Sequence, residues 1–124
     1  MGAFQVVAKK ITLQTRETPF KTITEANNIY KDLAPNLFQS KEVISSGNLF
    51  EELKEIYTLY CSTDKKYHEA LKQKSIIGFK GNQTIDENKG KHVTTTCLFV
   101  IFSDRTEERF SIKKAFTEIA KLQN

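Results

Sequence analysis

The strongest hydrophobic pattern along the chain is the continuous apolar run from Cys97 to Phe102. Uninterrupted apolar residues are typical of a strand that is covered on both faces, so the run predicts a central strand over 93–103. Alternating apolar and polar positions predict further strands over 4–14 and 75–85. A return strand over 107–110 follows a tight turn at Asp104-Arg105.

Three segments repeat their apolar residues at helical spacing. The first begins at Thr22, which forms a capping box with Glu25, and it ends before Pro35 because proline disrupts a helix interior. The second begins at Asn48, and the third follows Ser111, whose side chain is suited to an N-cap. The predicted apolar faces are Ile23, Ala26, Ile29, Tyr30 and Leu33; then Leu49, Leu53, Ile56, Tyr57 and Tyr60; then Ile112, Ala115, Phe116, Ile119, Ala120 and Leu122.

Polar segments separate these elements. Loops are predicted over 36–46 and 86–91, and over 62–74, where a short helical turn is expected around 68–72. Gly78 and Gly81 interrupt the strand over 75–85, which indicates a bulge or the close approach of another backbone.

The pattern predicts an α+β protein with one compact domain over residues 1–124, in the order β-α-α-β-β-β-α. We expect a mainly antiparallel sheet of about four strands with three helices packed on it. A chain of 124 residues buries roughly two-thirds of its unfolded surface, so it can form a core without metal or disulfide support.

Two cysteines, Cys61 and Cys97, are too few for the disulfide framework of a small secreted domain. We expect two reduced thiols, with Cys97 buried as a small apolar residue. The first residues lack a basic segment followed by a long apolar stretch, and no apolar run approaches the about 20 residues of a membrane span. The sequence therefore predicts a cytoplasmic protein without a membrane contact.

Catalytic patterns are weak. His68 and His92 have no metal-binding spacing, no phosphate-binding glycine loop is present, and a Cys–His nucleophile pair is not indicated. Carboxylates cluster around the turn at Asp104, where Asp has an ordinary structural role. We predict no enzyme activity, no metal and no cofactor, with an unrecognised nuclease or hydrolase as the remaining alternative.

Charge gives the main functional signal. The formal net charge is +4, and basic residues interleaved with aromatic ones concentrate after residue 64. Lysines that displace counterions, beside a ring on which a base can stack, are typical of nucleic-acid binding. Lys113 also lies at the start of a helix, where the dipole disfavours a cation. The predicted site comprises Lys72, Lys74, Phe79, Lys80, Lys89, Lys91, Arg105, Arg109 and Lys113, with Phe79 as the stacking ring.

Several short motifs resemble the DCL (defective chloroplasts and leaves) domain family. They are Phe20-Lys21-Thr22 with Glu25-Ala26, the helix over 49–59, Gly78-Phe79, Cys97 to Ile101, and Phe110-Ser111 with Lys114. The resemblance covers about residues 18–116. It implies an accessory domain that is associated with RNA or the transcription machinery and has no known catalytic site. The family usually has Asp-Gly in the final turn, where this chain has Asp104-Arg105.

The leading prediction is a non-catalytic module that binds RNA or a ribonucleoprotein through its basic face. The alternative is a small protein-interaction factor without nucleic-acid contact, such as a phage or mobile-element inhibitor of a host complex. One continuous basic face with an exposed aromatic residue favours the first, and scattered charge with an exposed apolar patch favours the second.

Overall fold

The structure, a computed structural model, describes residues 10–63, 74–88 and 90–124. Its elements are helices α1 (Ile23–Tyr30), α2 (Leu33–Ser40) and α3 (Asn48–Cys61), strands β1 (Ile76–Asn88), β2 (Lys91–Phe102) and β3 (Glu107–Phe110), and helix α4 (Ile112–Gln123). The strands form an antiparallel sheet in the order β1-β2-β3. The predicted α+β class and the central position of β2 are confirmed.

The first element differs from the prediction. Most of the predicted strand 4–14 lies outside the described residues, and its described end forms only an isolated bridge between Ile11 and Phe20. Two backbone hydrogen bonds of 3.0 and 2.9 Å close that bridge. The element order in the described chain is therefore α-α-α-β-β-β-α.

Helix α2 replaces much of the loop that was predicted over 36–46. Pro35 is the third residue of α2 rather than the end of α1, which finishes at Tyr30. Proline is tolerated in the first turn of a helix because its missing N–H has no partner there. The prediction that Pro35 ends a helix was therefore wrong. The predicted helical turn around 68–72 lies outside the described residues.

Both predicted side-chain caps are confirmed. Thr22 Oγ1 accepts from the Glu25 backbone N–H at 3.0 Å, and the Glu25 carboxylate accepts from the Lys21 N–H at 2.8 Å. Ser111 Oγ accepts from the Lys114 N–H at 3.3 Å and starts α4. These caps satisfy amides that would otherwise lack partners at the helix starts.

The β1–β2 hairpin is longer than predicted. Asn88 is paired with Lys91, so the predicted loop over 86–91 shrinks to a two-residue turn. Gly90 has φ of 76° in this turn, which glycine adopts without a steric penalty. The outer half of the hairpin extends beyond β3, because β3 pairs only with residues 98–101 of β2.

The core lies between the sheet and the helices. Phe50 of α3 contacts Phe79 of β1, and Phe79 also contacts Phe110 of β3. Tyr57 of α3 contacts both Phe102 and Phe110. The ring centroids of these four pairs are 5.1 to 6.1 Å apart. The second aromatic cluster comprises Phe20, Tyr30 and Phe116, which join α1 to α4.

Gly81 brings α2 directly against β1. A Cβ atom at this position would collide with the Ala34 carbonyl oxygen and lie 2.6 Å from the Phe38 backbone nitrogen. The predicted role of Gly81 in close backbone approach is thereby confirmed. The bulge is confirmed as well, since the β1–β2 register shifts between Ile76 and Gly78.

Candidate nucleic-acid interface

The two faces of the sheet have different surroundings. Along β2, Leu98, Val100 and Phe102 are buried, whereas the alternate residues Phe99 and Ile101 are only half-buried. Successive side chains of a strand point to opposite faces, so the first set faces the helices and the second faces away from them. The predicted burial of β2 on both faces is therefore wrong for the second face, which we call the open face.

One row of the open face combines two cations with an aromatic ring. Phe99 of β2 is paired with Lys80 of β1 on one side and with Arg109 of β3 on the other. Adjacent strands lie about 4.8 Å apart, so both basic side chains start beside the ring. The next row carries Ile101 and Glu107, which adds a carboxylate to the same face.

The predicted stacking residue, Phe79, is in the core. Its side chain has no exposed surface and contacts Phe50 and Phe110. Its assignment to the nucleic-acid site was wrong because the bulge after Ile76 turns Phe79 toward the helices. The ring that the sheet presents outward is Phe99 instead.

Lys74 and Lys80 of the predicted basic set have anionic partners nearby. Lys80 Nζ lies 2.8 Å from Glu107 Oε1 on the open face. Lys74 Nζ lies 3.9 Å from Asp104 Oδ2, donates to Thr106 Oγ1 at 3.1 Å and lies 4.3 Å from the centre of the Phe102 ring. These contacts offset part of the charge that Lys74 and Lys80 could offer to a phosphate.

Arg105 lies in the turn between β2 and β3, at the sheet end where Lys74 lies. Its φ is 72°, which lies in the left-handed region that favours glycine, so the arginine at this position is strained. Its backbone N–H donates to the Phe102 carbonyl at 2.9 Å, and the neighbouring Thr106 hydroxyl and N–H both donate to Asp104. These two bonds hold the pKa of Asp104 below its usual value. The turn is thus fixed by hydrogen bonds despite the strained residue.

Of the remaining predicted residues, Lys91, Arg109 and Lys113 are described by the structure. Lys91 is exposed at the tip of the hairpin, and Arg109 and Lys113 are exposed near the end of β3 and the start of α4. Lys72 and Lys89 lie outside the described residues. The described members of the predicted set therefore do not form one patch, but Arg109 and Lys113 are brought together.

Arg109 and Lys113 line a cavity of about 420 Å³ beside the edge of β2. The cavity forms where the chain leaves β3 for α4, since β3 pairs with none of the β2 residues before Leu98 and that edge of β2 has no strand beside it there. Helix α1 and Lys31, the residue directly after it, supply the opposite wall. The full described lining is Asn27, Tyr30, Lys31, Ala34, Thr95, Thr96, Cys97, Leu98, Arg109, Phe110, Ser111, Ile112 and Lys113.

Charge in this cavity has one sign. The described lining contains the cations Lys31, Arg109 and Lys113 and no acidic residue. Helix α4 also begins here, and its first turn contains no acidic residue. The positive end of the helix dipole therefore acts in the same direction as the three side chains.

Two polar groups of α1 complete the wall. The Tyr30 hydroxyl donates to Glu52 Oε1 at 2.9 Å, and burial followed by this hydrogen bond raises the pKa of Tyr30 well above its ordinary value. Asn27 Oδ1 is buried and has no hydrogen-bond partner among the described residues. The wall thus contains a neutral tyrosine and one acceptor that the described protein leaves unsatisfied.

A second cavity, of about 540 Å³, lies at the opposite edge of the sheet. Lys41 and Lys80 line it, but so does Glu42. Although this cavity is larger, its mixed charge suits an anion less well than the cavity lined by Arg109.

Sequence reasoning missed Lys31 and Phe99 as site residues. Lys31 lies outside the basic segment after residue 64, and only the packing of α1 near the start of α4 brings it to the cavity. Phe99 could have been found from the alternation within the apolar run, since it falls between the two core positions Leu98 and Val100.

Other chemistry is not evident in the described parts of the chain. There, no group of three His, Cys, Asp or Glu residues is placed to hold a metal ion. Cys61 is buried and Cys97 is half-buried on the open face, so the predicted burial of Cys97 is met only in part. In the described ranges, every helix is too short or too polar to cross a membrane.

Comparisons of this chain with models of known protein families, with curated protein sequences and with solved structures found no match. The resemblance to the DCL domain family accordingly stays a prediction.

Proposed function

We propose that this protein is a non-catalytic module that binds RNA through the cavity beside β2 and the adjoining open face. The observation that carries the proposal is the cavity lining, which has Lys31, Arg109 and Lys113 and no acidic residue among its described members. A phosphate group gains from each cation and from the start of α4.

The position of Lys113 adds support. A lysine in the first turn of α4 lies close to the positive end of the helix dipole, which disfavours it in the isolated protein. A bound phosphate removes this unfavourable interaction, because its negative charge is attracted by both the lysine and the positive end of the helix dipole. Arg109 adds a planar guanidinium that can bind two phosphate oxygens.

The test is direct binding of a fluorescently labelled single-stranded RNA, followed by anisotropy at about 50 mM salt, where phosphate contacts are strong. The double variant Arg109→Gln/Lys113→Gln is expected to bind about tenfold more weakly. The matched control is Lys10→Gln/Lys121→Gln, which removes the same charge near the other end of α4, where Asn124 binds the Lys10 carbonyl. The control should bind within about twofold of the wild type.

A wild type without measurable affinity for RNA at that salt concentration would refute the proposal, as would equal losses in the two double variants. Absence of RNA binding would favour a protein partner, for which the outer half of the β1–β2 hairpin is the candidate surface. Ile85 is 73% exposed and Val93 is 45% exposed there.

A further inference from the structure

We infer that Phe99 is a base-stacking position and that the RNA bound at this site is single-stranded; this inference rests on the proposed function. Phe99 lies in the part of the central strand that pairs with both neighbouring strands, and its ring belongs to the face that the described helices leave uncovered. Its sequence neighbours Leu98 and Val100 point to the covered face and are buried in the core, so the Phe99 ring is not part of that core.

The surroundings of Phe99 suit a nucleotide. Lys80 and Arg109 flank the ring in register, so cations lie on both sides of a base that would stack on it. Glu107 lies in the next row and pairs with Lys80 at 2.8 Å. This carboxylate weakens the attraction of Lys80 for a phosphate.

Arg109 connects the ring to the cavity. It is paired with Phe99 across β2 and β3, and it also lines the cavity together with Lys113. Cys97, two residues before Phe99 on the same face, lines the cavity as well. A phosphate held in the cavity thus lies next to the open face, and the base attached to it can reach the Phe99 ring.

This arrangement selects unpaired bases. Stacking on a protein ring needs a base whose face is free, and the bases of a duplex are already stacked on one another. The cavity contacts recognise phosphate in either form of RNA, whereas the ring adds affinity only for the single strand. The ligand class is therefore a single-stranded RNA segment.

The experiment compares a single-stranded RNA with a duplex of the same length in anisotropy titrations. Phe99→Leu keeps an apolar side chain but removes the ring, and it should weaken single-strand binding by about tenfold while leaving duplex binding within about twofold. Phe99→Tyr keeps the ring and should bind like the wild type. Leu122→Val is the control, because Leu122 is an exposed apolar residue near the end of α4, far from its start at the cavity, and it should alter neither affinity.

A second measurement uses the wild type alone and so does not depend on how a variant folds. A single strand containing 2-aminopurine should lose fluorescence on binding if a base stacks on the ring. Equal affinity of Phe99→Leu and wild type for the single strand, an equal loss for single strand and duplex, or unchanged 2-aminopurine fluorescence overturns the inference. If Arg109→Gln/Lys113→Gln still weakens binding, the proposed function survives that failure.

Discussion

The two faces of the sheet differ in how tightly their aromatic side chains are packed. On the covered face, Phe79, Phe102 and Phe110 are each at most 2% exposed and interlock with rings from α3. On the open face, Phe99 is half-buried and is flanked by Lys80 and Arg109. Aromatic residues on the first face pack against α3, whereas none of the described helices packs on the ring of the second, and this difference makes the open face the candidate for binding.

The largest expected effect is at the covered face. Gly81→Ala should lower the free energy of unfolding by about 3 kcal/mol, because its Cβ would meet backbone atoms of α2 that cannot move independently. Gly78→Ala is the matched change on the open face, where the nearest atom is the Val43 Cγ1 methyl at 2.9 Å. A side-chain methyl can rotate away, so we expect a loss of about 1 kcal/mol.

Urea denaturation of both glycine variants measures this contrast. Similar losses at the two positions would contradict the assignment of α2 to the covered face at Gly81.

A smaller loss of stability is expected at Tyr30, whose hydroxyl group donates a hydrogen bond to Glu52 at the border of the core. Tyr30→Phe removes the hydrogen bond to Glu52, which also accepts from Arg16 Nη1 at 3.0 Å, so the variant should lose about 1 to 2 kcal/mol. The pKa of Tyr30 is raised in the folded state, so this contribution is present below the unfolded value of about 10 and is lost as the pH rises above it.

The check is chemical denaturation of wild type and Tyr30→Phe between pH 7 and pH 11. The difference in stability between the two proteins should shrink above about pH 10. A difference that stays constant with pH would show that Tyr30 is not held neutral by burial and Glu52.

The smallest effect concerns the open face. Glu107→Gln releases Lys80 and removes a carboxylate beside Phe99, so RNA affinity should rise about two- to threefold. Glu118→Gln is the matched control, because it releases Lys121 from a similar surface pair on α4. Anisotropy titrations at one salt concentration compare the two variants, and an equal gain in both would remove Glu107 from the interface.

Local features of the fold could be predicted from the sequence, and features set by register or packing could not. The caps at Thr22 and Ser111 depend on residues three positions apart, so the sequence displays them directly. Proline disrupts the interior of a helix but is tolerated in its first turn. The prediction for Pro35 was wrong because the local sequence does not show in which of these two positions the proline lies.

The candidate site was harder to predict. A single bulge after Ile76 decides which face Phe79 joins, and a shift of one residue moves every side chain of a strand to the other face. Arg109 and Lys113 were predicted individually, since basic residues near a strand end and a helix start are visible in the sequence. Their meeting with Lys31 depends on tertiary packing between distant segments.

The most direct test of the account is the salt dependence of RNA binding. On a plot of log affinity against log salt concentration, the slope for single-strand binding becomes shallower by about 0.7 for each phosphate contact that is removed. Arg109→Gln/Lys113→Gln should therefore reduce the slope by about 1.4 relative to wild type, whereas Lys10→Gln/Lys121→Gln should leave it unchanged. Equal slopes in all three proteins would contradict the assignment of phosphate binding to the cavity beside β2.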